Sequence, residues 1–495
     1  MKKLFALILT ICLMATMSVT AFAKETVVMR VTALKIDGTV FVPEKSDFTD
    51  FKDGWVAAAT YAKNSEWKNQ NRIARVVVDL LADWNAEGSL GSSGEGISDG
   101  AICFPMNTRI TLNMNGYTIN RGRTEWDWNG EVIYIREGAN VIINDGIITG
   151  GNSGNGAGGI HIDGKATVTL NDVHVVGNVA DDDHGAGIAI HDDAILTMNG
   201  GSLENNIVDG KEGRTGEFFG SGIYVYKSTA ILNNVDFIGN QFTKTESSGA
   251  AIYATGSEVT VNECLFDGNG IKDDAEGYKP AVSVVHGKDS FITITNSTFT
   301  NNGGLHYNST TAGSRGTVLY KDFSNLFSVD DTSLNIESDC KINNNTVYSL
   351  FHTSNNGRLY VSDSEINDND ASVMYSYAHS SSSYFKNCIF SNNFPSDTEK
   401  WIDKTFDITG NTLTFEDCDL GDSTFKDFDK IIFMGSNKMA EEPTEEPTEE
   451  SVGAEGSIVS EGSLTMLAAM SALVISIASL AVAFASKNKT AEKAE

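Results

Sequence analysis

Residues 259–269 read VTVNECLFDGN, and residues 292–302 read ITITNSTFTNN. Each segment is a short strand-like alternation of apolar and polar residues, followed by a polar turn, an apolar residue and, three positions later, an asparagine. The pattern recurs at 168–178, 196–206, 231–240, 334–345, 359–369 and 383–393, and in weaker form at 141–151 and 413–423. Successive copies lie mostly about 24 to 34 residues apart, a period typical of solenoid coils.

The apolar residues of each copy are spaced by two, which indicates β-strands and argues against helical repeats, whose apolar spacing is about 3.6. Aligned copies form two apolar columns. The first column contains Ile143, Leu170, Met198, Leu232, Val261, Ile294, Val361, Phe385 and Phe415. The second contains Ile148, Val175, Leu203, Phe237, Phe266, Phe299, Ile342, Ile366, Phe390 and Leu420. Since no coil can bury its inner face alone, the sequence predicts an all-β right-handed single-stranded parallel β-helix.

Cysteines follow the same repeat. Four of the six share one position just after the turn: Cys264, Cys340, Cys388 and Cys418. Other coils place small residues there: Val173, Val235, Ser297 and Ser364. With Cys12 in a removable leader, five cysteines remain, and an odd number is not a closed disulfide framework. We therefore expect free, buried cysteines that fill a small inward-facing site.

A second strand precedes each copy, as in GIYVYK (222–227) and AIYATG (251–256). Alternation turns the isoleucines inward and the tyrosines outward, and coil stacking places the tyrosines side by side. We expect an exposed aromatic platform that binds a glycan, because aromatic faces offer apolar area with a polar tip. The alternative is that these rings only stabilise the sheet. The candidate ligand-binding residues of this face are Tyr224, Tyr226, Tyr253, His191 and Asp192.

The loop WDWNG (126–130) is a second candidate binding site, since Trp126 and Trp128 are expected to be exposed there. No P-loop, zinc signature or Ser-His-Asp elbow occurs in the sequence. We therefore expect no cofactor and no metal site, although Ca²⁺ binding to the many carboxylates stays open.

The two ends of the chain resemble export and anchoring signals. Lys2 and Lys3, an apolar run and an Ala-Phe-Ala site indicate a signal peptide over residues 1–23. Residues 464–485 are 22 residues without a charge, enough at about 1.5 Å per residue to cross a hydrocarbon core of about 30 Å. The lysines that follow mark the cytoplasmic side. The acidic, proline-containing segment before the span is expected to be an extended stalk.

These features divide the chain into six parts. They are a signal peptide (1–23), an N-terminal cap region (24–100), the parallel β-helix (101–437), a stalk (438–463), a transmembrane helix (464–485) and a cytoplasmic tail (486–495). Within the cap region, residues 56–63 are a helix candidate and 75–81 a strand. A helix across the first coil would cover its open edge.

The net charge of −30 argues against nucleic acid and anionic lipid surfaces as partners. The composition, with 47 glycines and only 6 prolines, suits many short strands joined by tight turns. Partners compatible with this charge are a polysaccharide, a host glycan or a host protein, with the membrane contacted through the one C-terminal helix.

The Gly-Gly-Ile type strand followed by Phe-x-x-Asn resembles the repeats of chlamydial polymorphic membrane proteins, on the tetrads 237–240, 266–269, 299–302 and 390–393. More widely, residues 101–433 resemble the pectin-lyase-like right-handed β-helix superfamily. The first resemblance implies adhesion and the second polysaccharide cleavage. The chlamydial proteins end in a barrel, whereas this chain ends in a stalk and an apolar helix.

Enzymatic motifs are incomplete. Residues 401–404, WIDK, nearly match the WIDH motif of pectate lyases, but lysine replaces histidine and the RxPxxR partner is missing. Residues 181–185, DDDHG, contain fragments of polygalacturonase motifs at the wrong spacing. The leading hypothesis is therefore a membrane-anchored extracellular bacterial adhesin or glycan-binding protein that is not an enzyme. The alternative is a cell-surface polysaccharide lyase or glycoside hydrolase.

Overall fold

The structure is a computed structural model. It describes residues 26–41, 46–63, 73–86, 97–98, 101–154, 156–181, 183–209, 218–244, 247–276, 283–303, 325–377, 381–393, 406–409, 412–421, 423, 425 and 431–439. The chain divides into two compact units, Met1–Ala440 and Glu441–Glu495, and all described residues belong to the first. The predicted signal peptide, the transmembrane helix, the cytoplasmic tail, the stalk beyond residue 439 and the WIDK segment lie outside the described residues.

The described part of the first unit consists of stacked β-strands and one helix, α1 (Phe51–Lys63). The described strands form four sheets. We call the three larger sheets the first, second and third stack, and the fourth is a pair of short strands. The first stack has twelve strands: Ile97–Ser98, Ala101–Phe104, Ile133–Ile135, Ile160–Ile162, Ile188–His191, Ile223–Tyr226, Ile252–Thr255, Ser283–Lys288, Asn325–Asp330, Thr346–Ser354, Asp370–Tyr377 and Phe406–Thr409. The third stack has five: Asn152–Ser153, Val179–Asp181, Ile207–Asp209, Gln241–Lys244 and Gly270–Glu276. Phe218–Phe219 and Ser247–Ser248 form a separate pair.

The second stack has 24 strands. Its N-terminal strands are Met29–Lys35, Val40–Phe41, Asp47–Phe48, Ile73–Leu80, Trp84–Asn85, Arg109–Asn113 and Thr118–Asn120. The next are Asn140–Thr149, Thr167–Val176, Ile195–Glu204, Thr229–Asn233, Asp236–Ile238, Glu258–Asn262, Leu265–Asp267, Phe291–Thr295 and Thr298–Thr300. The last are Ser333–Glu337, Lys341–Asn343, Arg358–Ser362, Glu365–Asn367, Ser382–Lys386, Ile389–Ser391, Thr412–Glu416 and Ile431–Met434.

Each coil pairs in parallel with the next, in the register predicted from the sequence. Leu232 pairs with Val261, which pairs with Ile294, and Phe237 pairs with Phe266. At the turn within the second stack, each coil has one or two residues with a positive φ, for example Asn234 (φ 54°). Most of these residues are asparagine, aspartate or glycine, which tolerate this left-handed conformation, and this explains the polar turns of the repeats.

Both apolar columns are buried, and three successive phenylalanines of the second column, Phe237, Phe266 and Phe299, lie face to face. The ring centroids of Phe237 and Phe266 are 4.7 Å apart, and those of Phe266 and Phe299 are 4.2 Å apart, with planes within 6° of parallel. A buried aromatic ring contributes about 2 to 3 kcal/mol through removal of apolar area from water. The core therefore runs along the inside of the coils.

The repeated asparagine forms a ladder of buried hydrogen bonds. In each step the Nδ2 of one asparagine donates to the Oδ1 of its counterpart in the next coil, over 2.8 to 3.1 Å. The same Oδ1 also accepts the backbone N–H of the preceding asparagine. The ladder consists of Asn178, Asn206, Asn240, Asn269, Asn302, Asn345, Asn369 and Asn393. Satisfied in this way, an amide can be buried without the usual desolvation penalty.

The cysteine prediction is confirmed. The four column cysteines and Cys103 are all buried and free. Their neighbours in the column, such as Val235 and Ser297, are also buried. The site tolerates a thiol, a hydroxyl or a small aliphatic group, as expected of a small inward-facing position.

The predicted helix and strand of the N-terminal region are both present. Helix α1 packs on the strands Met29–Lys35 and Ile73–Leu80. Its buried Trp55 lies against Phe104 of the first stack, with ring centroids 4.9 Å apart, and its Nε1 donates to the Cys103 carbonyl at 3.3 Å. The strand Ile73–Leu80 also pairs in parallel with Arg109–Asn113, so the second stack begins inside the N-terminal region.

Candidate functional site

The predicted tyrosine face lies on the outer side of the first stack. Tyr224 and Tyr253 pair in register, and their ring centroids are 5.7 Å apart with planes 24° from parallel. Tyr226 lies on the same face, 6.4 Å from Tyr224. His191 is 5.6 Å from Tyr224. The prediction from the sequence that these side chains lie together is confirmed.

The expectation that this face is an exposed platform is wrong. Only 7% of Tyr224 and 4% of Tyr253 is exposed. Phe219 stacks on Tyr253 with ring centroids 4.0 Å apart, and His184 lies 4.8 Å from Tyr224. The turns that lead into the first-stack strands therefore cover the outer face of those strands. Of the predicted group, Asp192 is exposed and Tyr226 is partly buried.

The tyrosines belong to a longer series of rings in contact, three of the contacts tilted and two stacked, which we call the ring column. Neighbouring centroids lie 4.7 to 5.7 Å apart along the coils. The ring column consists of Tyr134, His161, His191, Tyr224, Tyr253 and His286. Distances in this range are typical of favourable aromatic pairs.

Most titratable rings of this column are neutral at pH 7. Burial lowers the pKa of His191 and of His286 to about 4 and raises the pKa of Tyr224 to about 12. His191 Nε2 and His286 Nδ1 have no hydrogen-bond partner among the described residues. His191 and His286, each neutral and each with a ring nitrogen that has no partner among the described residues, act here as packing groups, which favours the sheet-stabilising interpretation.

One charge lies at the end of the ring column. Asp163 accepts a hydrogen bond from the Tyr134 hydroxyl, and one of its oxygens is 3.4 Å from His161 Nε2. Burial opposes ionisation of Asp163, but the hydrogen bonds from His161 and Tyr134 outweigh it and lower the pKa of this carboxyl. Burial and the bond to Asp163 raise the pKa of Tyr134. Asp163 is therefore an ionised acceptor held between two rings.

A second carboxyl near this end behaves in the opposite way. Glu131 is 4% exposed, and burial raises its pKa to about 7. The Ser153 hydroxyl donates to it over 3.4 Å. Arg121, also buried, donates to the Ala86 carbonyl at 2.8 Å, and burial lowers its pKa to about 10. Neither residue could be predicted as a site residue from the sequence, because neither lies in a repeat copy.

Of the two predicted aromatic sites, the one that is exposed is the loop containing Trp126 and Trp128. We call residues 123–130 the tryptophan loop. Trp128 has 56% of its surface exposed, and its ring centroid lies 5.4 Å from that of the partly buried Trp126. Arg123 and Asp127 form an ion pair of 2.9 Å within the same loop. Asp127 bridges in parallel to Ser153, so the loop continues the third stack by one coil.

Among the described residues, no group of three or more histidine, cysteine, aspartate or glutamate side chains could hold a metal ion. In the same part of the chain, no helix is long and apolar enough to cross a membrane. The site therefore consists of aromatic rings, one ion pair and single carboxyls.

These observations define a parallel β-helix with an exposed aromatic loop. A family comparison agrees with this fold, because the family model described as a right handed beta helix region matches residues 92–266. No curated protein matches the chain.

A similar solved structure is the catalytic unit of a thermostable GH87 alpha-1,3-glucanase from Streptomyces thermodiastaticus strain HF3-3. The identity is 10% and the TM-score 0.24. The match covers 79% of this chain and 65% of the glucanase unit. At this TM-score the similarity does not bear on function.

Proposed function

We propose that this protein is a non-catalytic, glycan-binding surface protein that contacts its ligand through the tryptophan loop. The observation that carries the proposal is the exposure of Trp128 beside a second indole and an ion pair. The apolar surface of a large exposed aromatic ring stays in contact with water, which is unfavourable, unless a ligand covers it.

The chemistry of the loop fits a sugar chain. A tryptophan face packs against the apolar face of a pyranose, and the guanidinium of Arg123 and the carboxylate of Asp127 can donate to and accept from its hydroxyls. The net charge of −30 repels acidic polymers at long range. The proposed ligand is therefore a neutral glycan.

The predicted ends of the chain support a place at the cell surface. A signal peptide, an acidic stalk and an apolar stretch followed by lysines are typical of a single-pass protein whose body is extracellular. Many tethered copies would let individually weak sites act together, because linked binding events have a high effective concentration. This is the arrangement that the adhesin hypothesis requires.

Replacing Trp128 with alanine is expected to weaken binding to neutral glycans at least about 10-fold, the loss typical of a central aromatic contact. A glycan array followed by titration of the best ligand measures the effect. Phe291→Ala is the matched control, since Phe291 is another exposed aromatic ring, 46% exposed, on a different strand. Both variants should keep the melting temperature of the parent.

Equal affinities for the parent and the Trp128→Ala variant would remove the tryptophan loop from the proposal. Equal losses in both variants would mean that exposed aromatic rings bind glycans non-specifically. Only a loss confined to Trp128→Ala supports the site.

A polysaccharide lyase or glycoside hydrolase is the second candidate function, favoured by Glu131 and Asp163. Burial raises the pKa of Glu131, while hydrogen bonds from His161 and Tyr134 lower that of Asp163. Two nearby carboxyls whose pKa values are shifted in opposite directions are the pattern of acid–base catalysis. The burial of Glu131 stands against it, because a polymer cannot reach a carboxyl that is only 4% exposed.

Incubation with neutral polysaccharides separates the two candidates. The binding proposal expects no new reducing ends and no unsaturated products. Cleavage by the parent that falls about 100-fold or more in Glu131→Gln would establish the enzymatic function instead. Ser153→Ala is a suitable control, because it removes the hydroxyl that contacts Glu131 and leaves the carboxyl in place.

A further inference from the structure

The cysteine column contains one pair of cysteines that are direct neighbours. Going along the described coils, Ser297 separates Cys264 from Cys340, and Ser364 separates Cys340 from Cys388. No such residue separates Cys388 from Cys418, because the residues that follow them, Ile389 and Asp419, bridge in parallel. Two thiols therefore meet at only this step of the described column.

The contact between the two residues is close. The backbone N–H of Cys388 donates to the Cys418 sulfur at 3.5 Å, and the Asp419 N–H donates to the Cys388 carbonyl at 2.9 Å. Both side chains are buried. Directly opposed residues of neighbouring strands lie at a Cα separation of about 4.8 Å, within the range that a disulfide spans.

We propose that Cys388 and Cys418 form a reversible disulfide that fastens the last coils of the β-helix together. The structure shows the reduced state, in which the cysteines are free. The oxidant is a small-molecule or protein disulfide, which exchanges with thiols without any metal or cofactor.

The exchange takes place in two steps. The Cys418 thiolate attacks one sulfur of the oxidant R–S–S–R, forming a Cys418–S–S–R bond and releasing RS⁻. Cys388 then gives up its proton and attacks the Cys418 sulfur, which forms the Cys388–Cys418 bond and releases the second RS⁻. Two protein thiols are oxidised and one disulfide is reduced to two thiols. The interaction between the two thiols lowers the pKa of Cys418 and raises that of Cys388, which favours Cys418 as the first nucleophile.

The Cys388–Cys418 pair lies near the C-terminal end of the described coils, so a bond there would affect how readily that end opens. Only one described strand of the second stack, Ile431–Met434, pairs beyond Thr412–Glu416, and its Ile432 and Met434 are largely exposed. Terminal elements with few buried contacts open more readily than the middle of a fold, which admits the oxidant to the buried thiols. A bond that closes the ring of residues 388–418 then opposes this opening, since it restricts the unfolded chain.

The test uses the full chain, first reduced and then held in oxidised glutathione under native conditions. Unfolding, alkylation and peptide mapping by mass spectrometry should recover Cys388 and Cys418 joined, with Cys264 and Cys340 alkylated. The melting temperature should rise by about 4 °C and return to its initial value on reduction. Cys418→Ser should abolish both the cross-link and the rise.

Cys340→Ser is the matched control, because serine occupies the same column in two neighbouring coils, and it should leave both results unchanged. Mapping of the parent alone already decides the proposal. Four alkylated column cysteines after oxidation, glutathione bound to single cysteines, or a cross-link between another pair would each overturn it. A Cys388–Cys418 bond without a rise in melting temperature would overturn the fastening role.

Discussion

Asn269→Ala is expected to lower the free energy of unfolding by roughly 2 to 4 kcal/mol, since each buried polar group that loses its partner costs about 1 to 3 kcal/mol. The Oδ1 of Asn269 accepts from the backbone N–H and from the Nδ2 of Asn240, at 3.1 and 2.9 Å. Its Nδ2 donates to Asn302 Oδ1 at 3.0 Å and to the Phe237 carbonyl at 2.8 Å. Alanine removes one hydrogen bond from each of these four buried groups, although Asn302 Oδ1 keeps the Asn269 backbone N–H and Asn240 Nδ2 keeps the Leu203 carbonyl. Urea denaturation followed by circular dichroism measures the loss.

A second asparagine ladder provides the control. On the outer surface, Asn199 donates to Asn171 and accepts from Asn233, both at 3.0 Å, and these bonds are exposed to solvent. Water can replace them, so Asn199→Ala should cost less than about 1 kcal/mol. Similar losses from the two substitutions would show that burial of the inner ladder is not what makes its hydrogen bonds important.

The inner ladder illustrates what the sequence could and could not predict. The asparagine was visible as the last position of each repeat, and the period of two placed the apolar columns in the correct register. A strand alternation determines which side chains face inward, and stacking follows from it. The hydrogen bonds between successive amides depend on the backbone conformation at the end of each repeat copy, which cannot be inferred from the residue pattern.

The tyrosine face shows a different limit. Register alone predicted that Tyr224 and Tyr253 meet, and they do. Their burial depends on Phe219 and His184, which lie in the segments between repeat copies. Those segments vary in length and composition from coil to coil, so their path over the sheet could not be inferred from the repeat. The adjacent phenylalanines Phe218 and Phe219 were the one sign in the sequence that such a segment packs over the sheet.

The contacts of Trp126 explain why the tryptophan loop is the better binding candidate. Trp126 packs against Gly154, where an added Cβ would lie 1.8 Å from the indole nitrogen. This close approach holds one ring against the next coil, while the neighbouring Trp128 stays exposed. Trp126, fixed in this way, gives Trp128 an ordered neighbour, so this part of the site loses little conformational entropy on binding.

Phe266→Ala is expected to lower the free energy of unfolding by about 3 to 5 kcal/mol, because a large buried ring is replaced by a cavity. The ring lies between Phe237 and Phe299, at 4.7 and 4.2 Å. Parallel hydrogen bonding fixes the spacing of the three strands, so the neighbouring rings cannot move together to fill the space. Thr260→Ala, on the outward side of the strand Glu258–Asn262, should cost under about 1 kcal/mol in the same urea titration. A small loss for Phe266→Ala would mean that the coils can collapse onto the vacated site, and that the stack is held mainly by its hydrogen bonds.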